Sequence, residues 1–287
     1  MHAIYKREVR AYLFGVTGAV FVAFLLLMLG IFSTAVNFSS GYPAFEVALS
    51  SVLLVLLLVV PIITMRSFSE DRHAKTDQLL YSLPLPLSRI VLAKFFAMAT
   101  VLAVPCLVAC LYPLILSFYG EINYAAAYGA ILGFFLLGCA LIAVGMFLSS
   151  LTESQVIAAL LTFGAFFLLY LINGIAGLIP ATVAASLIAY LVCAAALGGI
   201  LYALTRNAVA AAAVGGVAAL AVLAAYLIRS AAFAGSIQKV LGALAIFDRF
   251  SNFSNGIVDL TAYVYYASIA ALFIVFTVQS MEKKRWA

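Results

Sequence analysis

Long uninterrupted runs of hydrophobic residues make up most of the chain, and short polar segments separate them. A helix needs about 20 apolar residues to cross a bilayer, and eight runs come close to or exceed that length. Polar residues do not alternate with apolar ones inside the runs, so the pattern predicts membrane-spanning α-helices rather than a β-barrel. The predicted spans are 13–36, 47–65, 91–118, 126–148, 155–177, 183–204, 208–228 and 262–280.

The segment 183–228 leaves two alternatives open. It is rich in Ala and Gly, and one turn at Thr205-Arg206-Asn207 interrupts it. It forms either two spans or a buried re-entrant pair. Removing it as a hairpin leaves six spans and does not change the side of the membrane on which either terminus lies. We favour eight spans because each half is long enough to cross.

The distribution of basic residues predicts that both termini are cytoplasmic. Basic residues concentrate in cytoplasmic loops of membrane proteins. With the N-terminus inside, the outer segments contain only Arg229, Lys239 and Arg249. The other basic residues all fall on the cytoplasmic side: Lys6, Arg7, Arg10, Arg66, Arg72, Lys75, Arg89, Lys94, Arg206, Lys283, Lys284 and Arg285.

Composition supports an integral membrane protein. Hydrophobic residues account for 67% of the 287 residues and charged residues for 9%, whereas a soluble domain has about 45–50% and about 25%. This excludes a disordered chain, a secreted disulfide scaffold and an ordinary cytosolic enzyme. The net charge of +5 is explained by topology, so no nucleic-acid partner is expected. The four cysteines lie in apolar runs and are predicted to be small core residues. They are Cys106, Cys110, Cys139 and Cys193.

The sequence offers no catalytic or metal site. No Gly is followed by Lys, so there is no Walker A loop for a nucleotide, and His2 and His73 do not form a pair with metal-ligand spacing. This argues against a membrane enzyme acting on lipid. Few ionisable residues lie deep in any span: Lys94 is near a span start, and Glu46 precedes one. Ion-coupled carriers need buried charges, so the energy for transport is expected to come from outside the chain.

Two segments predicted to be cytoplasmic have sequence patterns that a simple connection between spans would not require. Residues 2–13 form an amphipathic helix, which we expect to lie in the headgroup plane before the first span. Its apolar face contains Tyr5, Val9, Tyr12 and Leu13, and its basic face contains Lys6, Arg7 and Arg10. The loop 66–90 mixes both charge signs with apolar residues, which favours a docking segment over a solvated loop on the membrane surface. Ser88 is a candidate cap for the third span.

Three further features lie outside the cytoplasmic segments. In the outer segment 229–261, residues 236–246 have helical apolar spacing, and Phe247, Phe250 and Phe253 recur every three residues. These rings either dip into the membrane boundary, cover the outer mouth of a cavity or simply anchor the chain at the interface. Gly129 and Gly133 form one GxxxG packing motif. Thr162, Tyr170 and Asn173 are polar residues of the fifth span, which line a pathway or make a hydrogen bond between helices.

Three pieces of sequence together resemble one known family. They are Ile4-Tyr5-Lys6-Arg7-Glu8, the stretch from Pro61 to Leu80 with its central Ser69-Glu70-Asp71-Arg72, and the end of the chain from Phe247 to Leu260 and Thr277 to Trp286. The chain resembles the membrane subunit of type-2 ATP-binding-cassette (ABC) transporters, in particular the branch that includes the gliding-motility permeases. The resemblance covers about 1–177 and 240–287. Residues 181–230 depart from that family's six-span plan and resemble an inserted hairpin.

The resemblance implies an all-α permease subunit, in the cell membrane of a bacterium or archaeon, that is not itself an enzyme. A second permease, alike or related, and two ATPase subunits would complete the exporter, and ATP and Mg²⁺ would bind only to the ATPases. An extracytoplasmic auxiliary protein is a further possible partner. A membrane scaffold that an ATPase drives without substrate translocation is the alternative.

The resemblance also implies a role for each polar segment. The loop 66–83 would couple to the ATPase, helix 2–13 would be the connecting helix, and 231–261 would form the outer gate. The coupling residues would be Glu70, Asp71, Arg72, Lys75, Thr76 and Asp77. The connecting helix would use Tyr5, Lys6, Arg7, Glu8 and Arg10, and the gate would use Phe247, Asp248, Arg249, Phe250, Phe253 and Asp259.

Overall fold

A computed structural model describes residues 2–41, 43–75, 86–205, 208–228 and 233–285, and these residues contain helices and no strand. The predicted all-α membrane fold is therefore confirmed. The helices are α1 (His2–Leu13), α2 (Val16–Ser33), α3 (Phe45–Thr64), α4 (Ser69–His73), α5 (Leu87–Ala109), α6 (Leu111–Leu116), α7 (Tyr124–Leu151), α8 (Gln155–Leu178), α9 (Val183–Thr205), α10 (Ala208–Ile228), α11 (Ser236–Leu244), α12 (Ser251–Ser254) and α13 (Leu260–Arg285). A π-helical turn, Thr34–Phe38, extends α2, and a 3₁₀ turn, Asp248–Phe250, precedes α12.

Within the described residues, six helical segments are long and apolar enough to cross a membrane. They are Val16–Phe38, Phe45–His73, Leu87–Leu116, Tyr124–Leu151, Gln155–Leu178 and Leu260–Lys283. The segments predicted at 183–204 and 208–228 are also helical, as α9 and α10. A crossing by these two helices, and the cytoplasmic location of both termini, stay predictions.

The chain divides into two compact units, of which the larger contains residues 1–168 and 249–287. In this unit α7 packs against α3, α5 and α13, and α1 packs against α5. Helix α7 comes very close to two of its neighbours at glycines. A Cβ at Gly145 would lie 2.4 Å from the Thr64 hydroxyl, and one at Gly138 would lie 2.4 Å from Leu102. Small residues let helix backbones approach closely in a membrane, where packing rather than hydrophobicity drives association.

The third predicted span differs from the prediction at both ends. Pro86 occupies the N-cap of α5, and no side chain caps the helix, so the expected cap at Ser88 is wrong. The helix is interrupted at Cys110, before the short helix α6. Pro113 explains the interruption, because proline lacks the N–H that would bond to the carbonyl of Ala109. The hydroxyl of Tyr128 lies 3.4 Å from the carbonyl of Cys110, to which it donates.

The smaller unit contains residues 169–248. Its helices α9 and α10 pack against each other, and Tyr190 and Tyr226 both meet the ring of Phe233 edge to face. Gln238 of α11 donates a hydrogen bond of 2.6 Å to the carbonyl of Ile179. Cys193 of α9 is exposed within the described chain, so its prediction as a core residue is wrong, whereas Cys106 and Cys139 are buried as expected.

Candidate functional site

Charged side chains from three distant parts of the sequence meet at one end of the larger unit. They come from α1, from the segment around α4 that follows α3, and from α5. We call this group the charge cluster, and it consists of Arg7, Glu8, Arg66, Glu70, Asp71 and Lys94. The positive-inside rule predicts that this end of the helices lies on the cytoplasmic side.

Lys94 is the centre of the charge cluster. It is the eighth residue of α5 and only 3% exposed. Its ammonium lies 2.7 Å from Asp71 Oδ2 and 3.6 Å from Glu8 Oε1, and it donates a hydrogen bond of 2.6 Å to the carbonyl of Ser67. The ring of Phe68 lies 5.2 Å away. An ammonium is costly to bury unpaired, and one hydrogen bond and two ion pairs compensate the burial of Lys94.

A second ion pair, between Arg66 and Glu70, connects the charge cluster to α2. Arg66 donates to both carboxylate oxygens of Glu70, from Nε at 2.8 Å and from a terminal nitrogen at 2.6 Å. Its other terminal nitrogen donates to the hydroxyl of Thr17, at 2.7 Å. Planar, two-point pairing of this kind is both strong and directional. Arg66 therefore holds α4 against the first turn of α2.

Helix α1 is joined to the charge cluster and to α5. Arg7 donates to Glu8 Oε1 at 2.7 Å, and this hydrogen bond raises the pKa of Arg7. Tyr12 is buried, and burial raises the pKa of its hydroxyl, so the group stays protonated. Farther along α5, the hydroxyls of Tyr5 and Thr100 lie 2.8 Å apart.

One serine of α7 holds the backbone between α3 and α4. The hydroxyl of Ser149 accepts hydrogen bonds from the N–H groups of Phe68 and Ser69, each at 3.3 Å, and donates to the carbonyl of Met65 at 3.2 Å. Ser69 also bonds to the carbonyl of Met65 through its own hydroxyl. Residues of the charge cluster directly adjoin the backbone segment that Ser149 binds. The hydrogen bonds of Ser149 therefore help to fix the positions of the carboxylates in the charge cluster.

The predicted coupling residues fall into four groups. Glu70 and Asp71 form ion pairs within the chain. Arg72 is only 8% exposed, and its two terminal nitrogens have no hydrogen-bond partner within the part of the chain that the structure describes. Lys75 is exposed and lies two residues beyond the end of α4, with a left-handed φ of 55°. Thr76 and Asp77, together with the rest of the loop to residue 83, lie outside the described residues.

Two cavities open near these residues. One, of about 360 Å³, is lined by the charge cluster with Ala11, Tyr12 and Thr17. The other, of about 520 Å³, lies between the end of α4 and the turn from α7 to α8. His73 lines it from α4, and the turn contributes Glu153, Ser154, Gln155 and Val156.

The predicted gate residues do not share one helical face. Phe250 ends the 3₁₀ turn and Phe253 lies in α12, and both rings are fully buried within the larger unit. Phe250 meets Phe134 edge to face, and Phe253 stacks on Tyr263. These two rings therefore pack on protein rather than in the membrane boundary. Phe247 belongs to the smaller unit, where it meets Tyr170.

The GxxxG motif of α7 serves this outer packing. A Cβ at Gly133 would lie 3.0 Å from the ring of Phe253, and one at Gly129 would lie 2.8 Å from Val258. The hydroxyl of Tyr263 donates to the carbonyl of Gly129 at 2.8 Å. The two glycines thus form a shallow groove for the segment before α13.

The remaining gate residues surround the start of α13. Asp259 accepts hydrogen bonds of 2.8 Å from the Asn252 amide and from the N–H of Thr261, and the first of these chiefly lowers its pKa. Arg249 lies over the ring of Tyr265, 4.0 Å from its centre. Asp248 is exposed at the start of the 3₁₀ turn.

The polar residues of the fifth span differ in their surroundings. Thr162 is fully buried and donates to the carbonyl of Ala158 in its own helix, at 2.7 Å, so the expected bond between helices is wrong for this residue. Tyr170 is 42% exposed and Asn173 is half-buried. A role in lining a pathway stays a prediction for all three.

Sequence reasoning did not identify Lys94, Arg66, Thr17, Ser149 or Glu153 as members of a site. A signal existed for Lys94, since a lysine two turns inside an apolar helix needs an acidic partner. No sequence signal identifies Ser149, because its partners are backbone groups eighty or more positions away.

One comparison with known proteins is informative. The model of the family described as ABC-2 family transporter protein matches residues 47–209, more than half of the chain. No curated protein and no solved structure matches the chain significantly. The matched range contains the loop after α3 and runs on through α9, the first helix of the predicted insertion. The insertion and the gliding-motility branch stay predictions. Because the family model matches more than half of the chain, the chain belongs to the ABC-2 transporter family of membrane proteins.

Proposed function

We propose that the chain is the permease subunit of an ATP-driven exporter and that two ATPase subunits drive it through the loop 66–83 and α1. A second permease, alike or related, completes the translocation path. ATP and Mg²⁺ bind to the ATPases. Membership of the ABC-2 transporter family supports a permease subunit with an ATPase partner. The apolar spans support an external energy source, because their sequences contain few ionisable residues.

The observation that carries the proposal is the position of Lys94 between Asp71 and Glu8. Asp71 belongs to α4, the helix of the predicted coupling loop, and Glu8 belongs to the predicted connecting helix. A movement of α4 lengthens the contact between Lys94 and Asp71, and the buried ammonium then depends more on Glu8. Movement of the loop is thereby transmitted to α1 and α5. A motor can bias a conformational equilibrium only through contacts that differ between the two states, and this bridge is such a contact.

Exposed side chains at the end of α4 offer a surface to the ATPase. His73 and Lys75 are exposed, and His73 shares the cavity of about 520 Å³ with Glu153. Lys75 forms no ion pair within the described residues. Its charge is therefore available to an acidic group of another subunit.

The test is a pull-down of the tagged full chain from mild detergent, with mass spectrometry and an ATPase assay. Wild type should recover a nucleotide-binding subunit and its ATPase activity. Lys75→Glu reverses an exposed charge of the loop and should lower ATPase recovery and transport. Glu121→Lys is the matched control, because Glu121 is also exposed. It lies in the connection between α6 and α7, at the end of the helices opposite to the charge cluster. This control should leave both readouts unchanged.

Two outcomes would contradict the proposal. If the chain comes out without an ATPase in several detergents, the motor is not its partner. If the ATPase is recovered but neither Lys75→Glu nor a reversal of Glu153 alters recovery or transport, the coupling surface is elsewhere. Recovery of an extracytoplasmic complex without any substrate flux would favour the scaffold alternative.

A further inference from the structure

The cavity of about 360 Å³ beneath α1 has the size of a ligand site, and most of the residues that line it are charged. Known small-molecule sites occupy roughly 300–1,000 Å³. Its residues come from the cytoplasmic ends of the bundle: Thr17 is the second residue of α2, Arg66 lies two residues beyond the end of α3, and Lys94 is in the second turn of α5. Because these residues lie near the ends of apolar helices, we expect phospholipid headgroups to lie close to them.

The lining of the cavity is balanced in charge. Arg7, Arg66 and Lys94 contribute three positive charges, and Glu8, Glu70 and Asp71 contribute three negative charges. A purely anionic ligand would upset this balance in a partly buried site, and so would a purely cationic one. A ligand that carries one positive and one negative group preserves it.

The charged groups differ in how open they are to a ligand. Lys94 is 3% exposed, and its ammonium is held by a hydrogen bond to Ser67 and an ion pair with Asp71, so it is the least accessible charge of the cavity. The side chains of Arg7 and Arg66 are 60% and 36% exposed, and that of Glu70 is 42% exposed. A guanidinium has five N–H donors, and the hydrogen bonds described above use only some of them. Two accessible guanidinium groups and one accessible carboxylate therefore line the same cavity.

We propose that this cavity binds the headgroup of a phospholipid that carries both a phosphate and a primary ammonium. The phosphate lies against Arg7 and Arg66, because guanidinium groups pair with phosphate in a planar, two-point geometry. The ammonium lies against Glu70, to which it donates hydrogen bonds. The acyl chains extend into the bilayer beside α2, whose side chains Val16 and Val20 are exposed.

A lipid bound in this cavity would contact elements that the ATPase is proposed to move. The lipid proposal does not require that the protein is an exporter. Arg7 belongs to α1, whereas Arg66 and Glu70 belong to the predicted coupling loop 66–83. A headgroup seated between them adds contacts to both elements at once. Lipid bound here stabilises one relative position of α1 and α4, whatever substrate the protein moves.

The test is native mass spectrometry of the full chain, purified with any subunit that accompanies it, during titration with three lipids of identical acyl chains. Phosphatidylethanolamine should be retained about tenfold more tightly than phosphatidylcholine, a difference of about 1.4 kcal/mol. The quaternary ammonium of phosphatidylcholine has no N–H to donate to Glu70. Phosphatidylglycerol, which lacks the ammonium, should also bind more weakly than phosphatidylethanolamine.

Three variants separate the two halves of the site. Arg7→Gln should weaken phosphatidylethanolamine and phosphatidylglycerol alike, and Glu70→Gln should remove only the preference for phosphatidylethanolamine. Arg10→Gln removes the same charge from an exposed position of the same helix that does not line the cavity. It should leave the lipid preference intact.

Several results would overturn the proposal. Equal retention of the three lipids by wild type would mean that no headgroup is recognised, and this result does not depend on any variant folding. An equal effect of Arg7→Gln and Arg10→Gln would mean that helix charge alone attracts lipid. If free phosphoethanolamine binds as tightly as the lipid, the ligand is a soluble molecule of the same chemistry.

Discussion

The ammonium of Lys94 lies 2.7 Å from the carboxylate of Asp71 and 3.6 Å from that of Glu8. One buried cation thus joins helix α1, the short helix α4 and the candidate membrane span that begins with α5. The two carboxylates are far apart in sequence, and only the fold brings them to the same lysine. The stability of this junction and the transmission of movement through it rest on the same contacts.

Lys94→Met should destabilise the protein strongly. Removing one partner of a buried ion pair leaves the other charge uncompensated, at a cost of about 3 kcal/mol or more. The midpoint of thermal unfolding in detergent should fall accordingly. Lys94→Met/Asp71→Asn should recover part of the loss, because the stranded carboxylate is then neutral. Lys239→Met replaces an exposed lysine of α11 and should change stability by less than about 0.5 kcal/mol. A double variant as unstable as the single one would argue against the pairing.

Exchanging the charges of Arg66 and Glu70 should separate their role within the chain from a role toward the ATPase. Glu70→Arg alone places two arginines four residues apart and should lower transport. The double variant Arg66→Glu/Glu70→Arg restores an ion pair at the same spacing. We expect folding to recover and transport to remain low, as measured by expression level and by ATP-driven flux. Full recovery of transport would show that the two residues serve only each other.

Gly145→Ala should destabilise the contact between α3 and α7. The new Cβ would lie 2.4 Å from the hydroxyl of Thr64, which cannot turn away freely because it donates to the carbonyl of Val60. Overpacking of this kind costs about 1–3 kcal/mol. Gly164→Ala is the matched control, since a Cβ there has no neighbour within 4 Å, and it should be neutral or stabilising by up to about 1 kcal/mol. Both effects can be measured as shifts of the unfolding midpoint.

A second substitution tests the cause. Thr64→Ala in the Gly145→Ala background removes the hydroxyl and the methyl group of Thr64, but the Cβ of residue 64 stays 2.8 Å from the new Cβ. Stability should therefore recover in part. If the double variant is as unstable as Gly145→Ala alone, the cost comes from somewhere other than this contact.

Asp259 should make the outer segment less stable at low pH. Hydrogen bonds from Asn252 and Thr261 favour its charged form, so its pKa is lowered in the folded protein. A group whose pKa is lowered on folding stabilises the protein above its unfolded pKa, which is about 4 for aspartate. This stabilisation is lost as the pH falls through the folded pKa. The unfolding midpoint of wild type should therefore fall more steeply below pH 4 than that of Asp259→Asn, which does not titrate. Parallel curves would contradict the assignment.

Much of the architecture follows from the order of residues alone, because the bilayer imposes a length and a polarity on each segment. The apolar runs locate the six described spans and the helices α9 and α10, and the polar stretches locate α1 and α4. Hydropathy is a local property, so a local pattern suffices. Helix interruptions are harder to foresee: the break at Cys110 depends on Pro113, and the cap that Ser88 was expected to supply is absent because α5 begins one residue earlier, after Pro86.

The arrangement of the candidate site depends on contacts between residues that are distant in sequence, and no periodicity reveals them. Lys94 is one basic residue among many in the sequence, yet folding makes it the shared partner of Asp71 and Glu8. Spacing showed only that Phe250 and Phe253 recur every three residues and left three roles open for their rings, whereas packing buries them against Phe134 and Tyr263. Hydrophobic patterning selects which segments enter the membrane. The pairing of buried charges and the close approach of glycine to side chains then decide how those segments fit together, because both depend on distances that only the packed helices define.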